Sequence, residues 1–187
     1  MPQPEPRKTT NLATLYAQEL MPWSRAAEAL GTGSLGPEQP CFLATVRPDG
    51  RPHSAGVGVA VRDGNLFFTS GPAARKARNL AANPACTLSM RLDGIDLVFE
   101  GEAHRETDPA TLSAVAADYR EGGWPAQVDG DALAAPFSAQ SAGPGPWHLY
   151  RFRMQTVVGL GLRAPHGASR WDFSMPTSRL STTDVSI

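Results

Sequence analysis

"CFLATVRPDGRPHSAGVGVAVRDGNLFFTS", residues 41–70, decides the fold. The run "CFLATVR" (41–47) meets "PHSAGVGVAV" (52–61) across Asp49-Gly50, and that run meets "NLFFTS" (65–70) across Asp63-Gly64. Asp-Gly between apolar runs signals a hairpin, because a type I′ turn needs positive φ at both central positions. A three-stranded meander follows. The same device returns downstream, where "ACTLSMRL" (85–92) and "IDLVFEGEAHR" (95–105) flank Asp93-Gly94. In the second of these, Ile95, Leu97 and Phe99 alternate with Asp96 and Glu100, the period of a half-buried strand. Further on, "WHLYRFRM" (147–154) and "TVVGLGLR" (156–163) predict a closing hairpin, with a short strand at "SRWDF" (169–173).

Helices are few. "NLATLYAQELMPWSRAAEAL" (11–30) has helical character broken near Pro22, and Ser24 can cap its second part. Residues 71–83 predict a short helix. "TDPATLSAVAADYREGG" (107–123) predicts the clearest one: Asp108 caps it, Pro109 fits its first position and Gly122 ends it. Leu112, Val115, Ala116 and Tyr119 share one face. "GTGSLG" (31–36) matches GxGxxG but follows a helix and runs into Pro37 and Pro40, the wrong setting for a dinucleotide site, so it reads as a loop. Residues 122–146, rich in Gly, Pro and Ala, read as a lid or binding loop with little regular structure. The expected architecture is mainly β (α+β), a small antiparallel barrel with flanking helices over 11–173. Residues 1–10 are expected to be disordered and 174–187 to form a flexible tail.

The chain has 187 residues with 41% hydrophobic and 19% charged content and a net charge of −1, the profile of an ordinary globular chain. There is no basic excess or tract for nucleic acid. No apolar run reaches the roughly 18 residues of a membrane helix. The two cysteines, Cys41 and Cys86, lie far apart, and the four histidines lack metal-ligand spacing. A cytoplasmic protein without a metal is expected, with neither nucleic acid nor membrane as partner.

One stretch conflicts with helix electrostatics. In "TSGPAARKARNLAANP" (69–84), Arg75, Lys76 and Arg78 occupy the first turns of a helix, where the macrodipole is already positive. On a helix over 71–83, Ala73, Ala77, Leu80 and Ala81 share the packing face. Arg75, Arg78 and Asn79 point the other way, with Lys76 at the flank. Two readings stand: a solvated cationic face, or a phosphate site in which free helix N–H groups, Arg75, Lys76 and the Thr69 and Ser70 hydroxyls converge. Gly56 and Gly58, mid-strand, mark either a bulge or close approach of a flat ring. No acid, base or nucleophile stands out as catalytic. That fits a binding module, or an enzyme whose cofactor carries the chemistry.

"FLATVRPDGRPHSAGVGVAV", "NLFFTSG", "ARKARNLAANPACTLSM", "FEGEAHRETDP" and "SRW", in that order, resemble the pyridoxamine 5′-phosphate oxidase-like split-barrel flavoproteins over about residues 20–173. The subgroup most similar is the flavin- and deazaflavin-dependent oxidoreductases. The resemblance implies a six-stranded antiparallel split β-barrel of the FMN-binding type. It implies a homodimer with the cofactor, coenzyme F420 (an 8-hydroxy-5-deazaflavin) or FMN, at the subunit interface. It puts Thr69, Ser70, Arg75 and Lys76 on the phosphate, with Phe68, Arg78 and Asn79 nearby. The flavin ring would lie along His53, Gly56, Val57 and Gly58, and Trp171 would approach the partner's site. The expected activity is hydride transfer from reduced F420 to a small conjugated acceptor. The alternatives are an FMN oxidoreductase and a carrier that binds a flavin, haem or lipid-like ligand without turnover. Arg7, Lys8, Arg25 and Arg151 are candidate contacts for the acidic tail of F420. Loop 122–146, through Trp124 and Phe137, would wall an apolar pocket. The Arg-x-His motif of the true pyridoxamine 5′-phosphate oxidases is missing, since Arg170 is followed by Trp171 and Asp172. Vitamin B6 oxidation is therefore not expected.

Overall fold

The computed structural model describes residues 4–137 and 143–173. In chain order the strands and helices are β1 (Lys8–Asn11), α1 (Trp23–Leu30), β2 (Gly33–Ser34), β3 (Cys41–Val46), β4 (Pro52–Val57), β5 (Val59–Arg62), β6 (Asn65–Ser70) and α2 (Arg75–Ala82). They continue as β7 (Ala85–Leu92), β8 (Ile95–Glu106), α3 (Pro109–Glu121), β9 (Gln127–Asp129), β10 (Ala132–Ala134), β11 (His148–Gly161) and β12 (Gly167–Asp172).

All three Asp-Gly pairs turn hairpins. Only Asp63-Gly64 has both residues at positive φ, 49° and 71°, the I′ requirement. At the other two the glycine alone is left-handed, with Gly50 at 82° and Gly94 at 74°.

The strand order is β2-β5-β6-β11-β8-β7-β3-β4, all antiparallel, and β4 runs into β5 through Gly58. Neighbour relations therefore run full circle. β3, the bent β4–β5 strand, β6, β11, β8 and β7 form a ring of six, the expected barrel. The sheet as a whole has ten strands, because β1, β2 and β12 extend it and β4 and β5 count separately.

Several sequence readings change. The two strands read at 147–154 and 156–163 are one strand with a register shift between Met154 and Thr156. Its first half pairs β6 and its second half pairs β12, so the bulge is where the barrel splits. Residues 8–10, read as disordered, and Asn11, read as the start of a helical stretch, pair with β12. The 31–36 loop contains β2, which pairs β5. The 122–146 stretch contains the β9–β10 hairpin. The tail 174–187 lies outside the described residues.

The barrel interior is filled by Leu43, Leu66, Phe68, Leu88, Leu97, Phe99 and Phe152, with α1 contributing Trp23, Ala26 and Leu30. Trp171 is 0% exposed and meets Trp23 edge to face, with ring centroids 5.4 Å apart. It sits directly over Gly159, where a Cβ would come within 2.6 Å of the indole. A second cluster lies outside the ring. There α3 lays Leu112, Val115, Ala116 and Tyr119 on Ala60, Phe67 and Leu149. An Arg62–Asp118 ion pair at 2.7 Å ties β5 to α3.

Candidate functional site

α2 begins at Arg75, after a turn closed by Ala74 N–H donating to the Gly71 carbonyl. Its N-cap is Ala74, and no side chain caps it. The late start leaves Ala73 outside the helix, and of the expected packing face Ala77 and Leu80 are buried. The inward residues are Lys76, Ala77, Asn79 and Leu80, while Ala73 and Ala81 are exposed. Asn79 is buried and donates to Thr45 Oγ1 at 2.9 Å, anchoring α2 to β3. One N–H of its amide thus serves the fold.

Lys76 is only 8% exposed. Burial lowers its ammonium pKa. Its charge is felt by His53 on β4, whose imidazole is also held below its ordinary value. Desolvation is the larger cause, followed by the charges of Arg47, Arg75 and Lys76. His53 Nδ1 and Arg47 Nε are shielded from water and have no hydrogen-bond partner. Among the described residues, no carboxylate pairs with Arg47, Arg75 or Lys76. Gathering unneutralised cations at a helix N-terminus is unfavourable unless an anion sits there. Guanidinium, ammonium, imidazole and free backbone N–H groups together are a donor set that fits a phosphate.

The strand that carries His53 continues into a groove of about 250 Å³, lined by Leu35–Gly36–Pro37, Cys41, Phe42 and residues 56–59. Gly56 and Gly58 form part of its floor. Neither has positive φ, and a Cβ built on either would meet nothing within 4 Å. Neither turn geometry nor packing therefore calls for glycine. What the missing side chains leave is open backbone surface, as close approach of a flat ligand requires. Cys41 is no nucleophile here, because burial pushes its thiol up to about 11.

The structure divides the expected site residues. His53, Arg75 and Lys76 come together, and Gly56, Val57 and Gly58 line the groove. Thr69 is half-buried at the end of β6. The Ser70 hydroxyl is buried and donates to the Gly71 carbonyl at 3.3 Å. Phe68 is a core residue stacked on Tyr150, with centroids 5.3 Å apart. Arg78 lines a separate cavity. Trp171 is buried over Gly159 within its own chain. Arg25 is engaged by the carbonyls of Pro165, Gly94 and Arg163, and Arg151 pairs with Glu106 at 2.7 Å. Both guanidinium groups thus have partners within this chain. Trp124 packs edge-on against Tyr119 and Trp147, so its ring belongs to the second cluster and not to a pocket wall. Phe137 is exposed. Arg170 is paired with Asp172 at 2.8 Å.

Sequence reasoning missed Arg47 and Phe42. The alternation of "CFLATV" already turns Phe42 outward when Leu43 faces in. It is 49% exposed and registers with Gly56 across the β3–β4 pair. Arg47 follows from the hairpin, which returns β4 alongside β3 so that His53 pairs with Thr45, two residues before it.

The sequence profile of the pyridoxamine 5′-phosphate oxidase family matches residues 34–160, spanning the ring and both parts of the site. The chain belongs to this family. Members are flavin-binding oxidoreductases of split-barrel fold. Among solved structures, this family member is similar to a conserved hypothetical protein from Mycobacterium tuberculosis (TM-score 0.57, 20% identity, 79% of this chain and 89% of that one). It is also similar to a NimC/NimA family protein from Clostridium acetobutylicum (TM-score 0.53, 16% identity, 79% and 91%). A pyridoxamine 5′-phosphate oxidase-related, FMN-binding protein from Nostoc punctiforme gives a TM-score of 0.52 at 20% identity, over 80% and 90%. These likenesses support the fold. Comparison with curated proteins finds no match. No helix among the described residues is long and apolar enough to cross a membrane. Among them, too, no group of three or more His, Cys, Asp or Glu residues could hold a metal ion.

Proposed function

We propose that this chain is a deazaflavin-dependent oxidoreductase that binds coenzyme F420 and reduces a small conjugated acceptor. The observation that carries the reading is the unneutralised cluster of Arg47, Arg75 and Lys76 around His53. Two guanidinium groups and an ammonium exceed what one phosphate dianion balances, and F420 brings further carboxylates beyond its phosphodiester. Arg75, Lys76, His53 and Thr69 hold the phosphate. Gly56, Val57 and Gly58 seat the ring, and Phe42 flanks it. From His53 to Gly56 the strand advances about 10 Å, and the two residues face opposite sides of β4, an end strand of the sheet order, so the ribityl chain of a flavin would pass over its open edge. When bound and reduced, the deazaflavin supplies a hydride to the acceptor. The protein positions the ring and excludes water with the apolar lining of the groove.

FMN is the second reading, favoured by the engagement of Arg25 and Arg151, which removes two tail contacts. The exposed Phe42, Val46 and Val98 on the outer sheet face support a homodimer in which a second copy covers the groove. Equilibrium titration of purified protein with F420 and FMN, followed by an acceptor screen with the tighter ligand, tests the proposal. Tight F420 binding with turnover supports it. Tight FMN binding alone moves the activity to FMN chemistry, and binding without turnover of any acceptor makes the protein a carrier.

A further inference from the structure

α2 has a second polar side. Arg78 lies two residues beyond Lys76, about 200° around the helix, and faces away from the phosphate cluster. It lines a cavity of about 460 Å³ enclosed by α2, the end of β8 and the start of β11. Arg105 and Tyr150 are direct register partners on its wall, and His148 stands two residues from Tyr150 on the same face of β11. Ala77, Ala81 and Ala103 leave the room, and the rest of the wall is apolar.

The polar groups of this wall are biased to one sign. Arg78 has no acidic partner among the described residues. His104 is occupied by Glu102 at 3.1 Å. Arg105 is held by Asp131 at 2.7 Å, from the β9–β10 turn, and the Asp131 carboxylate is well exposed. The His148 ring has no hydrogen-bond partner among the described residues. Desolvation, then the charge of Arg105, keeps it neutral against a smaller pull from Asp131, so it offers a ring N–H. Asp131 thus occupies the cation that an incoming anion would claim.

We propose that this cavity is a second ligand site, separate from the flavin site, that takes a small organic anion: an apolar body against Ala77, Ala81 and Ala103, and a carboxylate or phosphate between Arg78, His148 and Arg105. A volume of this size suits a small molecule, and the mouth of a barrel is a usual place for one. Asp131 is the built-in competitor. Removing it should strengthen binding, an effect that a purely structural role for the Arg105–Asp131 pair would not produce.

Calorimetric titration of the full chain with benzoate, phenyl phosphate and inorganic phosphate tests this. The expected result is saturable binding of benzoate or phenyl phosphate tighter than about 1 mM, with inorganic phosphate weaker. The better of the two organic probes identifies the head group. Arg78→Gln should weaken binding about tenfold. Asp131→Asn should tighten it severalfold, and Lys76→Met should leave it unchanged. The proposal is overturned if neither organic probe saturates, if Arg78→Gln and Asp131→Asn both leave affinity unchanged, or if Lys76→Met abolishes binding, which would return the anion to the flavin site. Because the site stands apart from the cofactor, its failure leaves the flavin reading untouched.

Discussion

The Tyr119 hydroxyl lies 3.2 Å from the carbonyl oxygen of Gly58 and 3.3 Å from that of Phe67. A helix thus reaches through the second cluster and pins the corner at which β4 becomes β5. That corner closes the barrel, and it also floors the groove. Tyr119 is fully buried, and burial holds its phenol well above the usual range, so it stays a neutral donor. Tyr119→Phe keeps the packing and removes only the donor. It should cost about 1 kcal/mol in denaturant unfolding and weaken flavin binding through the loosened corner. Unchanged stability and affinity would show that the corner holds itself.

Gly56→Val should leave folding intact, because a Cβ there meets nothing within 4 Å. It should abolish cofactor binding by standing where the ring lies. Gly159→Ala should do the reverse. Its Cβ would clash with Trp171 at 2.6 Å, and overpacking of this kind costs about 1–3 kcal/mol. Thermal unfolding of both variants beside flavin titration separates the two kinds of glycine.

Lys76→Met should split stability from function. It removes a cation that is buried without a carboxylate partner and keeps the apolar stem. The cofactor-free protein should be unchanged or up to about 1 kcal/mol more stable, while cofactor affinity falls at least tenfold. A loss of stability equal to the loss of affinity would mean that the lysine is structural.

His53 carries a pH signature. Its folded-state pKa lies below the ordinary 6.5. The neutral ring is therefore favoured in the cofactor-free fold. Its contribution to stability is complete above pH 6.5 and is lost as pH falls through the lowered value. A bound phosphate reverses the sign by favouring the imidazolium. Cofactor affinity should rise as pH falls through the imidazole range, and His53→Gln should flatten that slope. Equilibrium titrations across pH in both proteins check it.

The barrel was legible because its signals are local. Asp-Gly turns and period-2 runs mark strands that pair with their chain neighbours. Long-range closure was not. Nothing at Gln155 distinguishes a bulge from a turn, so β11 read as two strands. Side-chain facing was the second limit. Alternation says that Phe68 and Thr69 point opposite ways, but not that Phe68 points into the barrel. The periodicity of α2 placed Ala77 and Leu80 inward correctly but missed Lys76 and Asn79, because polar residues do not register as an apolar stripe. At the candidate site the sequence carried Arg75, Lys76, His53 and the two glycines. It missed Arg47 and Phe42, which only the hairpin register brings beside them. The packing of Trp171 on Gly159 and Trp23 was not legible either, because it joins segments far apart in the chain.

The central claim is that Arg75, Lys76 and His53 hold a flavin phosphate. It is tested most directly by pairing ligands with and without that group: FMN against riboflavin, and F420 against the same deazaflavin lacking its phosphate tail. The phosphorylated form of the preferred ring should bind at least tenfold more tightly to the native protein, and Lys76→Met should erase most of this difference while barely changing affinity for the dephosphorylated ring. Equal binding of both forms to the native protein, or a difference that survives Lys76→Met intact, would contradict it.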